Sequence, residues 1–94
     1  MAEADSINWP AAFVALSELD GDAWDAQAAR LTEQWKAEYK IAFVEVAVAR
    51  GWSRENAETW PDEIVDEAYL SKDEHDWSPW AVASFDVPHC EEPA

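Results

Sequence analysis

Between Trp24 and Ala49 the large and small apolar side chains return every four or three residues: Trp24, Ala28, Leu31, Trp35, Tyr39, Ala42, Val46 and Ala49. That spacing lines one face of an α-helix and predicts a long helix from about Asp22 to Arg50. Gly51 then offers a residue able to take the left-handed closing conformation, and Arg50 complements the dipole of the last turn. The stretch "IAFVEVAV", Ile41 to Val48, is rich in β-branched residues and suits a strand by propensity alone. The stripe crosses it without a change of phase and no turn residue interrupts, so helix is the preferred reading.

Shorter elements are marked by caps and prolines. In "NWPAAFVALSEL", Asn8 can cap and Pro10 can occupy the first turn of a helix reaching about Leu19, with Trp9, Phe13 and Leu16 as its apolar stripe. "DGD", Asp20 to Asp22, is a turn signal. Ser53 caps a short piece, "RENAET". Thr59 and Asp62 have capping-box spacing, and Pro61 suits a new first turn, so a further helix is expected from Pro61 to about Leu70. Its inward side would be Ile64, Val65, Ala68 and Tyr69. After the polar "SKDEHD", Ser78 and Pro79 open a last helix, "WAVASFDV", that stops before Pro88. Residues 1–7 and 88–94 read as loose tails. The expectation is an all-α fold: residues 1–94 as one domain, a small bundle of about four to five helices with one long central helix.

Composition changes this picture in one respect. Hydrophobic residues make up 49% of the chain, but 18 of them are alanine and seven are tryptophan, so the core must rest on a few large rings. Trp24 and Trp35 are the expected core pair.

Charge changes it more. Twenty-one acids against six bases give −15, with a pI near 4.1. Residues 51–94 hold twelve acids and two bases, against nine and four in 1–50. From Glu55 to Trp77 nine carboxylates, Glu55, Glu58, Asp62, Glu63, Asp66, Glu67, Asp73, Glu74 and Asp76, face one lysine, Lys72. Such a chain is repelled by nucleic acid and by anionic membranes and attracted to basic partners. On a helix Asp62 and Asp66 form one ridge and Glu63 and Glu67 the next, rows that imitate phosphates along a duplex edge. A solvated helix face explains Asp62 and Glu63 as dipole partners of a first turn, but not Asp66 and Glu67. Salt adaptation would spread acids over the surface rather than cluster them. Trp60 and Trp77, beside the acids, are candidate interface anchors.

Other chemistry is thin. His75, His89 and Cys90 lack the repeated spacing of a structural metal site, so neither metal nor cofactor is expected. With only Gly21 and Gly51 there is no phosphate-cradling loop, and no G-x-S-x-G motif occurs, so no enzyme is expected. Aromatic stacking of bases needs a basic groove that six cations cannot build. No run of about eighteen apolar residues suggests a membrane span, the start has no basic-then-apolar leader pattern, and one cysteine forms no internal disulfide; a cytoplasmic protein is expected.

In its size, its pI near 4, its single acidic domain and the block "WPDEIVDEAYLSKDEHD", the chain resembles the small acidic inhibitors that phages and mobile elements direct against host defences, the anti-CRISPR DNA mimics. This is a likeness of size and charge over the whole chain, without a shared motif. It implies a non-enzymatic inhibitor in a bacterial cytoplasm. The implied partner is a basic nucleic-acid-binding complex such as a CRISPR–Cas surveillance complex, bound at its DNA-recognition surface. The alternative is a helical interaction or antitoxin-like module that forms a homodimer, or binds a partner, through its long amphipathic helix.

Overall fold

Asn8, Ser53 and Ser78 each turn a side-chain oxygen back onto the backbone N–H three residues on, at 3.1, 3.3 and 3.3 Å, and each opens a helix. The computed structural model, which describes residues 8–90 and 92, contains five α-helices: α1 (Trp9–Ser17), α2 (Gly21–Ala49), α3 (Arg54–Thr59), α4 (Pro61–Leu70) and α5 (Pro79–His89). A single 3-10 turn, Lys72–Glu74, links α4 to α5, and no strand occurs among the described residues. The fold is all-α, and the β-branched Ile41–Val48 stretch lies wholly within α2. With 29 residues α2 is about 44 Å long. It therefore sets the long dimension of a 45 × 27 × 20 Å body.

The other helices pack along α2 and bury Leu31, Trp35, Tyr39, Ala42, Phe43 and Ala47 from it. Trp9 and Leu16 of α1, Val65 and Ala68 of α4, and Val82, Ala83 and Val87 of α5 complete the core. Two enclosed indole N–H groups, those of Trp9 and Trp60, meet no acceptor among the described residues.

Helix α2 closes as its sequence suggests. Gly51 takes φ +104°, its N–H reaches the Val48 carbonyl at 3.0 Å, and the Trp52 N–H reaches the Ala47 carbonyl at 3.0 Å. That is a Schellman closure, and it delivers Trp52 edge-on to Phe43, ring centroids 5.6 Å apart.

Several local expectations are corrected. Trp24 is 43% exposed rather than in the core, because the first turns of α2 extend past the shorter helices; Trp35 is fully buried. The predicted stripe also drifts toward its C-terminal end, where Phe43 and Ala47 are buried while Ala49 is exposed. The Thr59–Asp62 capping box does not form. Trp60 keeps helical angles (φ −61°, ψ −40°), α3 runs almost directly into α4, and the Thr59 hydroxyl donates to the Glu55 carbonyl at 2.8 Å. Helix α1 stops at Ser17 rather than Leu19, and α5 continues through Pro88 to His89. Glu92 accepts hydrogen bonds from the Ser53 N–H and the Asn56 side chain at 2.8 and 2.9 Å. Residues 1–7 lie outside the described residues.

A Cβ on Gly51 would meet nothing within 4 Å, so substitution there tests the backbone alone. Gly51→Ala is expected to destabilise the domain by about 1–2 kcal/mol, the cost of a left-handed non-glycine residue, and Gly51→Asn by less. Urea unfolding checks this: the midpoint should fall in that order with the slope unchanged.

Candidate acidic interface

At about 100° per residue, α4 turns Pro61, Val65 and Ala68 into the core with Ile64 and Tyr69 at its margins. The expected inward side is thus present, and it divides the carboxylates of α4 into two sets. Asp62 and Asp66 fall on the flank next to α2, where Lys40 meets Asp62 at 2.6 Å and Lys36 meets Asp66 at 2.7 Å. The order reverses between the helices, so α4 runs antiparallel to this part of α2. The hydrogen bond and charge of Lys36 hold the Asp66 carboxyl below its ordinary pKa. Glu63 and Glu67 fall on the opposite flank with Leu70, which is 77% exposed. They lie one turn apart, a rise of about 6 Å.

The remaining acids of the run are distributed over α3 and the linking turn. Glu58 pairs with Arg54 at 3.3 Å within α3. Glu55, Glu63, Glu67, Asp73, Glu74 and Asp76 are exposed and form no ion pair among the described residues.

Lys72, the single base of the run, is turned away from its acidic neighbours. Its Nζ lies 3.8 Å from the Tyr69 ring centroid, with Phe13 and Trp77 at 5.0 and 5.5 Å, and it donates to the Tyr69 carbonyl at 3.1 Å. Removal from water among these rings lowers its pKa, against the pull of Asp73. Its charge is spent on the rings.

The acid-bearing turn is pinned from below. Asp76 and Trp77 are both left-handed, φ 59° and 64°, a conformation that non-glycine residues hold only when their surroundings impose it. Those surroundings are specific. The Trp77 N–H donates to the Lys72 carbonyl at 2.8 Å, and its own carbonyl accepts from buried Trp35 Nε1 at 3.0 Å. Its ring lies 5.2 Å from Phe13. Trp60 and Trp77 are both half-buried and pack against the core. Trp77 does line an open apolar groove of about 270 Å³ with Pro10, Phe13, Val14 and Ser17.

His89 stacks on Phe85 with centroids 4.3 Å apart, His75 tilts against the same ring at 4.7 Å, and Cys90 is a half-buried free thiol. Among the described residues no three metal-ligating side chains gather. No described helix is long and apolar enough to cross a membrane. Compared with known proteins, the chain matches no family model, no curated protein and no solved structure.

The sign of the Asp66 effect follows from its lowered pKa. Its stabilising contribution is complete above the unfolded value of about 3.9 and is lost as pH falls through the folded value. Asp66→Asn should therefore be less stable than wild type at neutral pH and converge with it in acid. Urea unfolding at low ionic strength across that range checks this; a pH-independent difference would contradict the ion pair as its source.

Proposed function

We propose that this protein is a non-enzymatic inhibitor that occupies the nucleic-acid groove of a basic partner, presenting carboxylates where phosphates would lie. Following the resemblance drawn from size and charge, the partner is a nucleic-acid-handling defence complex of the CRISPR–Cas kind. One observation carries the reading. Six carboxylates of the run stay solvent-facing and unpaired on backbone that is pinned to the core, while the nearby cations are taken by Asp62, Asp66, Glu58 and the aromatic rings.

The physics supports a mimic over a mere solubility device. A surface that exists only to repel copies needs no fixed geometry. Here Asp73, Glu74 and Asp76 sit on a strained turn, and Glu63 and Glu67 on a helix packed into the core through Val65 and Ala68. Charges carried on ordered backbone meet a cationic groove without paying backbone ordering entropy, and they steer its approach. The active set is correspondingly narrower than the whole run: Asp62, Asp66 and Glu58 already have cationic neighbours and contribute less.

Capture from nuclease-treated bacterial lysate tests this. A nucleic-acid-binding complex released by salt and displaced by duplex DNA is expected. Glu63→Lys, Glu67→Lys and Glu74→Lys combined should weaken that complex by about ten-fold or more. The same number of reversals at Asp22, Asp25 and Glu33, outside the run, should cost far less. A partner that holds in high salt and ignores DNA would refute mimicry.

A further inference from the structure

We propose that the outward side of α2 is a self-association face, on which a second copy of this chain docks its own α2 in parallel. The proposal goes beyond the inhibitor reading and does not rest on it.

The long helix is apolar on two sides. Trp35, Tyr39 and Phe43 occupy the inner one. On the other, Ala37, Ile41, Val44 and Val48 follow at spacings of four, three and four; Ile41 is 53% and Val48 38% exposed, Ala37 is exposed and Val44 half-buried. A helical segment that is apolar all round is ordinarily covered all round. Val44 is partly covered by the core it packs against, while Ala37, Ile41 and Val48 are left exposed by the described residues.

Charge selects the occupant. Residues 33–50 hold three carboxylates (Glu33, Glu38, Glu45) and three cations (Lys36, Lys40, Arg50), a neutral stretch in a chain of −15. A second copy meets least repulsion there. The spacing also selects the direction. With Ile41 and Val48 at the a positions and Ala37 and Val44 at d, β-branched residues occupy a, as parallel two-stranded pairs prefer. Lys40 then takes a g position and Glu45 the e position five residues on, so each Lys40 faces Glu45 of the other copy. The same register sets Glu33 against Glu38, but Glu33 lies before the apolar seam begins and Glu38 already accepts from Trp80 Nε1 at 2.9 Å. Lys40–Glu45 is therefore the flanking pair within the seam, where antiparallel docking would set Glu38 against Glu45. The Lys40–Asp62 pair is solvent-exposed, so sharing Lys40 costs little. The seam is about two heptads long, so the dimer should be weak and concentration-dependent.

Purified protein alone decides the matter. In sedimentation equilibrium the wild-type mass should rise toward twice that of the monomer with concentration, and do so equally well in high salt. Ile41→Lys, whose exposed site should leave helicity unchanged by circular dichroism, should remain monomeric. Lys40→Glu should weaken the dimer, and Lys40→Glu with Glu45→Lys should restore it. In a Cys90→Ser background, Ile41→Cys should cross-link to its own copy on mild oxidation, while Glu67→Cys, away from the seam, should not. A wild type that stays monomeric at every concentration overturns the proposal. So does Ile41→Cys linking no faster than Glu67→Cys.

Discussion

Three rings set one turn apart on α2, Trp35, Tyr39 and Phe43, hold this domain together. Trp35 stacks on Tyr39 at 5.6 Å and Tyr39 tilts against Phe43 at 5.9 Å. Hiding each ring from water is worth about 2–6 kcal/mol before ordering entropy is subtracted. In a chain whose apolar content is so largely alanine, no other group of residues offers as much. The rings also direct traffic through their polar tips. Trp35 Nε1 holds the carbonyl of Trp77, and the Tyr39 hydroxyl donates to Asp86 of α5 at 2.8 Å. Burial, then the adjacent carboxylate, pushes the Tyr39 phenol far above its usual pKa, which keeps it a neutral donor. Beside them Trp80 of α5 donates to Glu38 at 2.9 Å. The spine thus fixes both the last helix and the turn that precedes it.

What could be read from the sequence was local. Asn8, Ser53 and Ser78 cap through side chains that need only their own next turn, and α1, α3 and α5 begin where those signals place them; α4 begins at Pro61 without a side-chain cap. The inner face of α2 was legible from periodicity over its middle. What failed depended on neighbours. Trp24 keeps the phase of the stripe, but periodicity carries no information on how far the covering helices reach. Thr59 has the spacing of a capping box, yet Trp60 keeps helical angles and the Thr59 hydroxyl donates back to the Glu55 carbonyl instead. The division of the acidic run was equally hidden. Nothing in the order of residues says that Lys36 and Lys40 will lie beside Asp66 and Asp62 rather than beside the glutamates one position on; only the antiparallel placement of α4 against α2 decides that.

That placement changes what the negative charge can mean. A uniform acidic coat would have every carboxylate balanced by water alone. Here the cations of α2 are drawn to one flank of α4, Arg54 is held within α3, and Lys72 is folded onto Tyr69. Each of these interactions is individually modest because it is exposed. Together they hold the cations of α2 and α3 away from the outer flank of α4, where Glu63 and Glu67 have no ion-pair partner among the described residues. The same aromatic cluster that holds the half-buried Lys72 ammonium also braces Trp77, so packing and field are shaped by one set of contacts.

The two sides of α2 show how far charge and apolar surface are segregated. The inner side spends its rings on the core, and the carboxylates of the run sit on α3, α4 and the turn beyond. The outer side between residues 37 and 48 has neither a covering helix nor a charge excess. Conserving solubility at −15 would be easier with glutamate or lysine at Ile41 and Val48, since both are exposed and neither substitution would disturb the spine. A surface helix stripe that forgoes such residues, within a segment of zero net charge, is most economically explained by a second surface that covers it. Because that stripe and the acidic flank of α4 use different residues and opposite physical forces, one can be occupied while the other remains free.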